Sequence, residues 1–169
     1  FQETHNPPTA VKAANGEDLD NAVQLATGAG SSCIVQSDGQ LACWGYHEGG
    51  LLGDGVYPLG NGNDHAVAVK KSAERNPNPN DLTPVTDAVQ VTVGQSVACY
   101  RNTQGGLSCW GSNHKKQLGL GDNRGGLARC TVQGQTMTCI SHALPTVLEH
   151  EVTDVSAGAH HVCAVVNGA

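Results

Sequence analysis

Residues 33–45 read Cys33-Ile34-Val35-Gln36-Ser37-Asp38-Gly39-Gln40-Leu41-Ala42-Cys43-Trp44-Gly45, and a short loop then leads to Leu52-Gly53-Asp54-Gly55. The chain holds this pattern more than once. Adding 66 to each number lands on Cys99, Cys109, Trp110, Gly111, Leu118, Gly119 and Gly121. A third copy opens at Val155-Ser156-Ala157-Gly158 and reaches Cys163, offset by 64 from Val91, Gly94 and Cys99, and stops before its second half. A period of this length marks a repeat architecture, in which each unit buries its apolar face against its neighbours.

The unit reads as a disulfide-clipped β-hairpin. Two alternating runs, Cys33 to Gln36 and Gln40 to Trp44, flank Ser37-Asp38-Gly39, and Asp-Gly between such runs is a strong hairpin signal. Cys33 and Cys43 are equidistant from Asp38, so a three-residue turn sets them opposite each other. Facing residues of an antiparallel pair lie roughly 4.5 to 5.5 Å apart at Cα, a span that a disulfide covers. Cys99 and Cys109 are equidistant from Gln104 in the same way. Cys130 and Cys139 are expected to pair likewise in an insertion, across a turn centred on Gly134-Gln135 with Gly in the first turn position. Six cysteines allow fifteen connectivities, and hairpin geometry selects these three.

Composition sets the class. With one Phe, three Tyr and two Trp among 169 residues, several small cores, one per repeat, suit the chain better than a single large one. The 22 Gly and seven Pro are spread out as turn punctuation, and the expected class is all-β. Seven cysteines argue for an oxidising compartment, secreted or at the cell surface, and the C-x9-C and C-x8-C spacings differ from the C-x2-C pairs of structural zinc sites. No apolar run is long enough to span a membrane, and no signal peptide is present. Because Phe1 stands where an initiator Met would, the start is expected to be a processed or cut end. A net charge of −6 leaves no electrostatic footprint for nucleic acid. Cys163 lacks the partner that should follow ten residues later. The expectation is a piece of a longer array, the alternatives being a strand supplied by another chain or a free thiol.

Residues 1–21 read as an N-terminal tail, with Pro8-Thr9-Ala10-Val11 as a possible outer strand. The clustered Glu17, Asp18 and Asp20 could suggest calcium, but no EF-hand loop follows, and a solvated acidic turn is the better reading. Residues 22–87 form repeat 1 with a long polar spacer, in which only Ala66 to Val69 has any strand period. Residues 88–151 form repeat 2 with the disulfide insertion, and 152–169 a truncated repeat 3. Spacers of varying length on a fixed repeat gather on one face, and that face often binds.

The pattern Gly-x-x-x-x-Cys, Asp-Gly-x-Leu-x-Cys-Trp-Gly, Leu-Gly-x-Gly resembles the repeat of the regulator of chromosome condensation family, over residues of about 22–55, 88–121 and 152–169. The resemblance implies blades of a β-propeller, four-stranded antiparallel sheets of which seven close a ring in the family; secreted bacterial members carry the hairpin cysteines. Lys116 stands where the family's Asn-x-x-Gly-Gln-Leu-Gly loop has Gly, and Leu51 replaces its Gln. At 66 residues per repeat, 169 residues give about 2.6 blades, an arc rather than a closed ring.

Candidate chemistry is sparse. Gly94-Gln95-Ser96-Val97-Ala98 comes near a nucleophile elbow, but Gly28-Ala29-Gly30 and Gly158-Ala159-His160 fill the same slot, and the elbow needs a strand-to-helix turn. His160-His161 has no carboxylate or thiolate at metal spacing, and histidine in that slot is familiar in the family. Trp44 and Trp110, beside disulfides, read as blade cores rather than stacking platforms. Lys70-Lys71 and Lys115-Lys116 read as solvated faces. No catalytic residue, cofactor or metal site is expected. The sequence thus points to an extracellular protein-binding or structural module that presents Tyr57, Asp64, His65, His114 and Lys115, in loops after the Trp-Gly motif, to another protein or to further copies of the chain. A secreted enzyme inhibitor of the propeller type, a nucleotide-exchange factor like the nuclear family member, and a subunit of an extracellular fibre are the competing readings.

Overall fold

The computed structural model describes residues 10–56, 62–75, 77–121, 128–132 and 134–168, with Asn63, Asp64 and Val132 described by their backbone alone. Residues 1–8 and Tyr57 lie outside them. Strands β1 (Ala22–Thr27), β2 (Ser31–Gln36), β3 (Leu41–Gly45) and β4 (Asn63–Ala68) form a four-stranded antiparallel sheet in sequential order. Two short strands follow, β5 (Lys70–Lys71) and β6 (Thr83–Pro84), paired with each other. The second blade is β7 (Ala88–Val93), β8 (Val97–Asn102), β9 (Leu107–Ser112) and, after the insertion strand β10 (Ala128–Val132), the long β11 (Gln135–Pro145). β5 runs parallel to β11 at its outer edge, Lys71 facing Ala143, so part of the first spacer serves the second sheet. The third copy gives the hairpin β12 (Val152–Ala157) and β13 (Val162–Val166).

In the two complete hairpins Cys33 faces Cys43 and Cys99 faces Cys109, bonded with Cα atoms 4.1 and 4.0 Å apart. The insertion hairpin departs from the expected register. Val132 pairs with Gln135, so the turn falls one residue earlier than Gly134-Gln135, and Gly134 takes its second position at φ +76°. Only glycine adopts that left-handed backbone without a Cβ penalty. Cys130 therefore faces Met137 and Cys139 faces Ala128, and their disulfide crosses diagonally over 6.0 Å at Cα.

The first spacer is also more ordered than its polarity implies. Asp64 and His65 lie in β4 instead of a loop, because the free edge of β3 needs partners for its backbone groups and recruits 63–68, with Cys43 facing Val67 and Ala42 facing Ala68. The outer bridge from the N-terminal segment joins Ala13 to Ala66, two residues beyond Val11. In the acidic turn Asp18 pairs with Lys12, and Asn15 folds its side chain over Glu17 at 2.8 Å.

The blades stack through contacts that repeat with the sequence. Between blades 1 and 2 lies a core of Val35, Leu41, Leu51, Leu52, Val69, Val91, Tyr100 and Trp110, and between blades 2 and 3 one of Val97, Leu107, Leu118, Ile140, Leu144, Val152 and Val155. Trp110 is fully buried and donates its indole N–H to the Leu51 carbonyl at 2.7 Å. Trp44, on the face of blade 1 turned away from blade 2, is half-buried against Val11, Leu19 and Ile34.

Polar links repeat too. The Gln24 carboxamide brackets Val91, donating to its carbonyl at 2.9 Å and accepting from its N–H at 2.6 Å. Gln90, the same slot one blade on, reaches Asp154 at 2.6 Å and the Val155 carbonyl at 3.3 Å. Ala88 N–H donates to the Gly39 carbonyl and Val152 N–H to that of Gly105, so each hairpin turn caps the inner strand of the next blade. A Cβ on Gly28 would stand 2.2 Å from the Gly94 carbonyl oxygen, and one on Gly94 2.1 Å from that of Gly158. Glycine lets the blades approach at this point.

Candidate functional site

Because blades in one register bring equivalent slots side by side, the turns after the three inner strands line up on one face of the arc. Ala29-Gly30, Gln95-Ser96 and His160 from these turns, Tyr46 and Ser112 from the equivalent positions after Trp-Gly, and Gln135 and Met137 from β11 line a pocket of about 550 Å³. β11 enters because it starts well beyond the sheet it joins, and Asn113 N–H ties the following loop to it by donating to the Thr138 carbonyl at 2.8 Å.

Two serine–histidine pairs sit in this pocket. Ser96 Oγ is 3.0 Å from His160 Nδ1 and 3.5 Å from the Ala159 carbonyl. Ser112 Oγ is 2.7 Å from His114 Nδ1 and donates to Met137 Sδ at 3.3 Å. The two imidazoles meet edge to face with centroids 6.3 Å apart. Desolvation, with smaller contributions from the Lys115 and His160 charges, holds His114 below the usual histidine range.

The loop carrying His114 is fixed from within. Asn113 accepts from Lys116 N–H at its carbonyl and from Leu118 N–H at its side chain, and Lys116 adopts φ +62°, the conformation that Gly50 takes at +75° one repeat earlier. A similar lock holds the first blade's loop. Buried His47 contacts Asp54 Oδ1 at 3.1 Å, and the same oxygen accepts from Val56 N–H.

The opposite face carries a second pocket of about 310 Å³, bounded by the Lys71–Asp87 ion pair at 2.7 Å and by Tyr100. Burial, reinforced by the Asp87 charge, pushes the Tyr100 phenol up to about 12. This cluster ties β5 to blade 2.

Of the residues expected to bind, the structure brings His114 into the lining of the first pocket, and Lys115 follows it in the same loop. His65 sits in β4, Asp64 shares its strand, and Tyr57 lies outside the described residues. Tyr46, Ser96, Ser112, Met137 and His160 join the site without having been expected there. The signal for four of them was present: 30, 96 and 160 are one slot, and 46 and 112 another. Ser96 lies between two antiparallel strands and spends its N–H on the Ala159 carbonyl, so that turn offers no oxyanion-stabilising donor. Among the described residues no three of the His, Cys, Asp and Glu side chains converge as a metal site.

Successive antiparallel blades, offset around a common axis and sharing inter-blade links, make this an arc of a β-propeller. Within it, residues 104–165 match the model for the Regulator of chromosome condensation (RCC1) repeat. Among solved structures, the chain is similar to yeast RCC1 (Prp20) in its complex with Kap60, with a TM-score of 0.63 and 15% identity over 86% of this chain and 30% of that one. Prp20p from Saccharomyces cerevisiae, described with its binding to Gsp1p and histones, gives 0.64 and 15% over 87% and 31%. Human WBSCR16 gives 0.60 and 18% over 89% and 32%. The chain spans about a third of the length of these proteins, and at such identities the likeness concerns the fold.

Proposed function

We propose that this propeller arc is a non-catalytic protein-binding module of an oxidising extracellular compartment, and that it engages its partner through the face bearing His114 and Lys115. The observation that carries the reading is the alignment of three inter-strand turns and the Trp-Gly loop on one stiff surface, where the residues differ from repeat to repeat while the backbone beneath them does not. A preformed surface loses little conformational entropy on association. Three disulfides close hairpins of blade 1, blade 2 and the insertion beneath this face, which suits export, and no helix among the described residues is long and apolar enough to cross a membrane. Proteins of similar fold are described with protein partners, Kap60, Gsp1p and histones, although those partners belong to the relatives.

Two measurements test the proposal. Alkylation of protein secreted by its own cells, without reductant, should leave the six paired cysteines unlabelled; their labelling would remove the extracellular reading. The oxidised protein, immobilised, should capture an extracellular partner whose binding is lost on Gln95→Arg or Lys115→Glu and kept on Gln104→Arg, which alters the opposite face. The reverse pattern would overturn the assigned surface.

A further inference from the structure

We propose that His114 and His160 form a binding site for a soft transition-metal cation, copper in its cuprous state foremost, with the Met137 thioether as a third donor, and that the bound ion clamps blade 3 to blade 2. The inference stands apart from the protein-binding reading, since the site could take metal with or without a partner.

The serine contacts carry the argument. Each imidazole has its Nδ1 against a serine hydroxyl, at 3.0 Å for Ser96–His160 and 2.7 Å for Ser112–His114, so in both rings Nδ1 is engaged and Nε2 is the nitrogen left for a ligand. Each hydroxyl also has a second acceptor, the Ala159 carbonyl for Ser96 and the Met137 sulfur for Ser112, so binding at Nε2 would set the Nδ1–H tautomer, with the serine oxygen accepting from it and the hydroxyl proton turned to that acceptor. An outer hydrogen bond of this kind orients a metal-bound imidazole.

Spacing fits. With a metal–nitrogen distance of about 2.0–2.1 Å, two imidazoles sharing an ion hold their centroids roughly 5 to 6.4 Å apart. The observed 6.3 Å lies at the far end of that range, where the two nitrogens stand nearly opposite each other across the ion, an arrangement the cuprous ion accepts with the thioether as a weaker third donor. Met137 lines the same pocket, and its unbranched chain can turn the sulfur inward. Two imidazoles and a thioether, with no carboxylate, favour copper over calcium or magnesium, and the thioether favours the cuprous ion over zinc. The donors come from three places, the loop after β9, the start of β11 and the turn of blade 3, so binding would join elements that the polypeptide connects only at a distance. His160-His161 alone gave no hint of this, because both partners lie far away in sequence.

The test uses the full chain with Cys163→Ser, so that the exposed thiol cannot take copper itself. Titration with Cu(I) against a chromophoric chelator, under anaerobic conditions with the disulfides intact, should show one ion per chain and a raised melting temperature. His114→Ala or His160→Ala should abolish that binding. Ser96→Ala and Ser112→Ala should weaken it about ten-fold or more, and Met137→Leu should weaken Cu(I) while sparing Zn(II). Independently of any variant, Cu(I) should shift the methyl resonance of the single methionine and the ring protons of His114 and His160 together. Absence of stoichiometric Cu(I) binding, binding unchanged in the His114→Ala/His160→Ala double variant, or shifts confined to other histidines would overturn the site.

Discussion

Gly94→Ala probes the contact on which blade stacking rests. The added Cβ would stand 2.1 Å from the Gly158 carbonyl oxygen, which is backbone and cannot rotate away. An ordinary contact needs more than 3 Å, so the third blade must retreat by about 1 Å, and overpacking of that kind costs about 1–3 kcal/mol. The retreat stretches two neighbouring links, Ala157 N–H to Thr92 Oγ1 at 2.8 Å and Gln90 to the Val155 carbonyl at 3.3 Å. At about 1 kcal/mol each when lost, they bring the expected destabilisation to roughly 3–5 kcal/mol. Urea unfolding measures the total, and amide exchange at Ala157 reports whether the loss is local to the blade 2–blade 3 contact. Gly28→Ala, 2.2 Å from the Gly94 carbonyl, should behave alike at the blade 1–blade 2 contact. If Gly94→Ala changed the stability by less than about 0.5 kcal/mol and left Ala157 equally protected, the glycines would not be what sets blade spacing.

Trp110→Phe should cost about 2–4 kcal/mol in urea unfolding, because it leaves the buried Leu51 carbonyl without its donor and opens a cavity; Trp44→Phe, at a half-buried site, should cost under about 1 kcal/mol. Lys116→Gly should exceed Lys116→Ala in stability by about 1 kcal/mol, since both lose the lysine side chain and only alanine keeps the strain of φ +62°. Burial holds the His142 pKa below its ordinary value, against the opposing effect of its hydrogen bond to the Glu74 carbonyl. The unfolded chain then binds more protons, so this contribution to stability is intact above about pH 6.5 and is lost as the pH falls below it. Denaturation midpoints across that range should drop for the wild type and drop less for His142→Gln. Tyr100 acts at the other end. Its phenol is raised to about 12 in the fold, so stability should fall as pH climbs from about 10 toward 12, with a phenolate absorbance rise that Tyr100→Phe removes.

The hairpins were legible because three signals coincide in them: period-two alternation, a turn residue at the midpoint, and cysteines equidistant from it. In the insertion the third signal is present but misleads, since Cys130 and Cys139 are equidistant from Gly134-Gln135 while the turn forms one residue earlier. The register there follows Gly134, which takes φ +76° at the second turn position whatever the cysteines require. The outer strands were illegible for another reason. β4 and β5 carry Asn63-Asp64-His65 and Lys70-Lys71, sequences of low strand propensity, and become strands because β3 and β11 present unpaired backbone edges beside them. Such pairing is set by the neighbour, not by the segment. Likewise His114 could be placed in its loop from sequence, but its meeting with His160 depends on how far blade 3 is rotated from blade 2.

That rotation is itself encoded in small residues. Gly28 and Gly94 let the blades close to backbone contact, and Gln24 and Gln90 fix the offset by bonding to the same backbone position one blade on. With spacing and offset both held by the repeat, whatever side chain occupies slot 30, 96 or 160 is delivered to the same line on the surface. Gly30, Ser96 and His160 are therefore substitutions on a fixed frame, and only the last two can act on each other. The same frame puts Ser112 where Tyr46 stands one blade earlier, close enough to orient His114. The chemistry of this face thus comes from departures from the repeat, while its geometry comes from adherence to it. A shift of blade 3 by an ångström, as Gly94→Ala would impose, should part Ser96 from His160 without touching either residue.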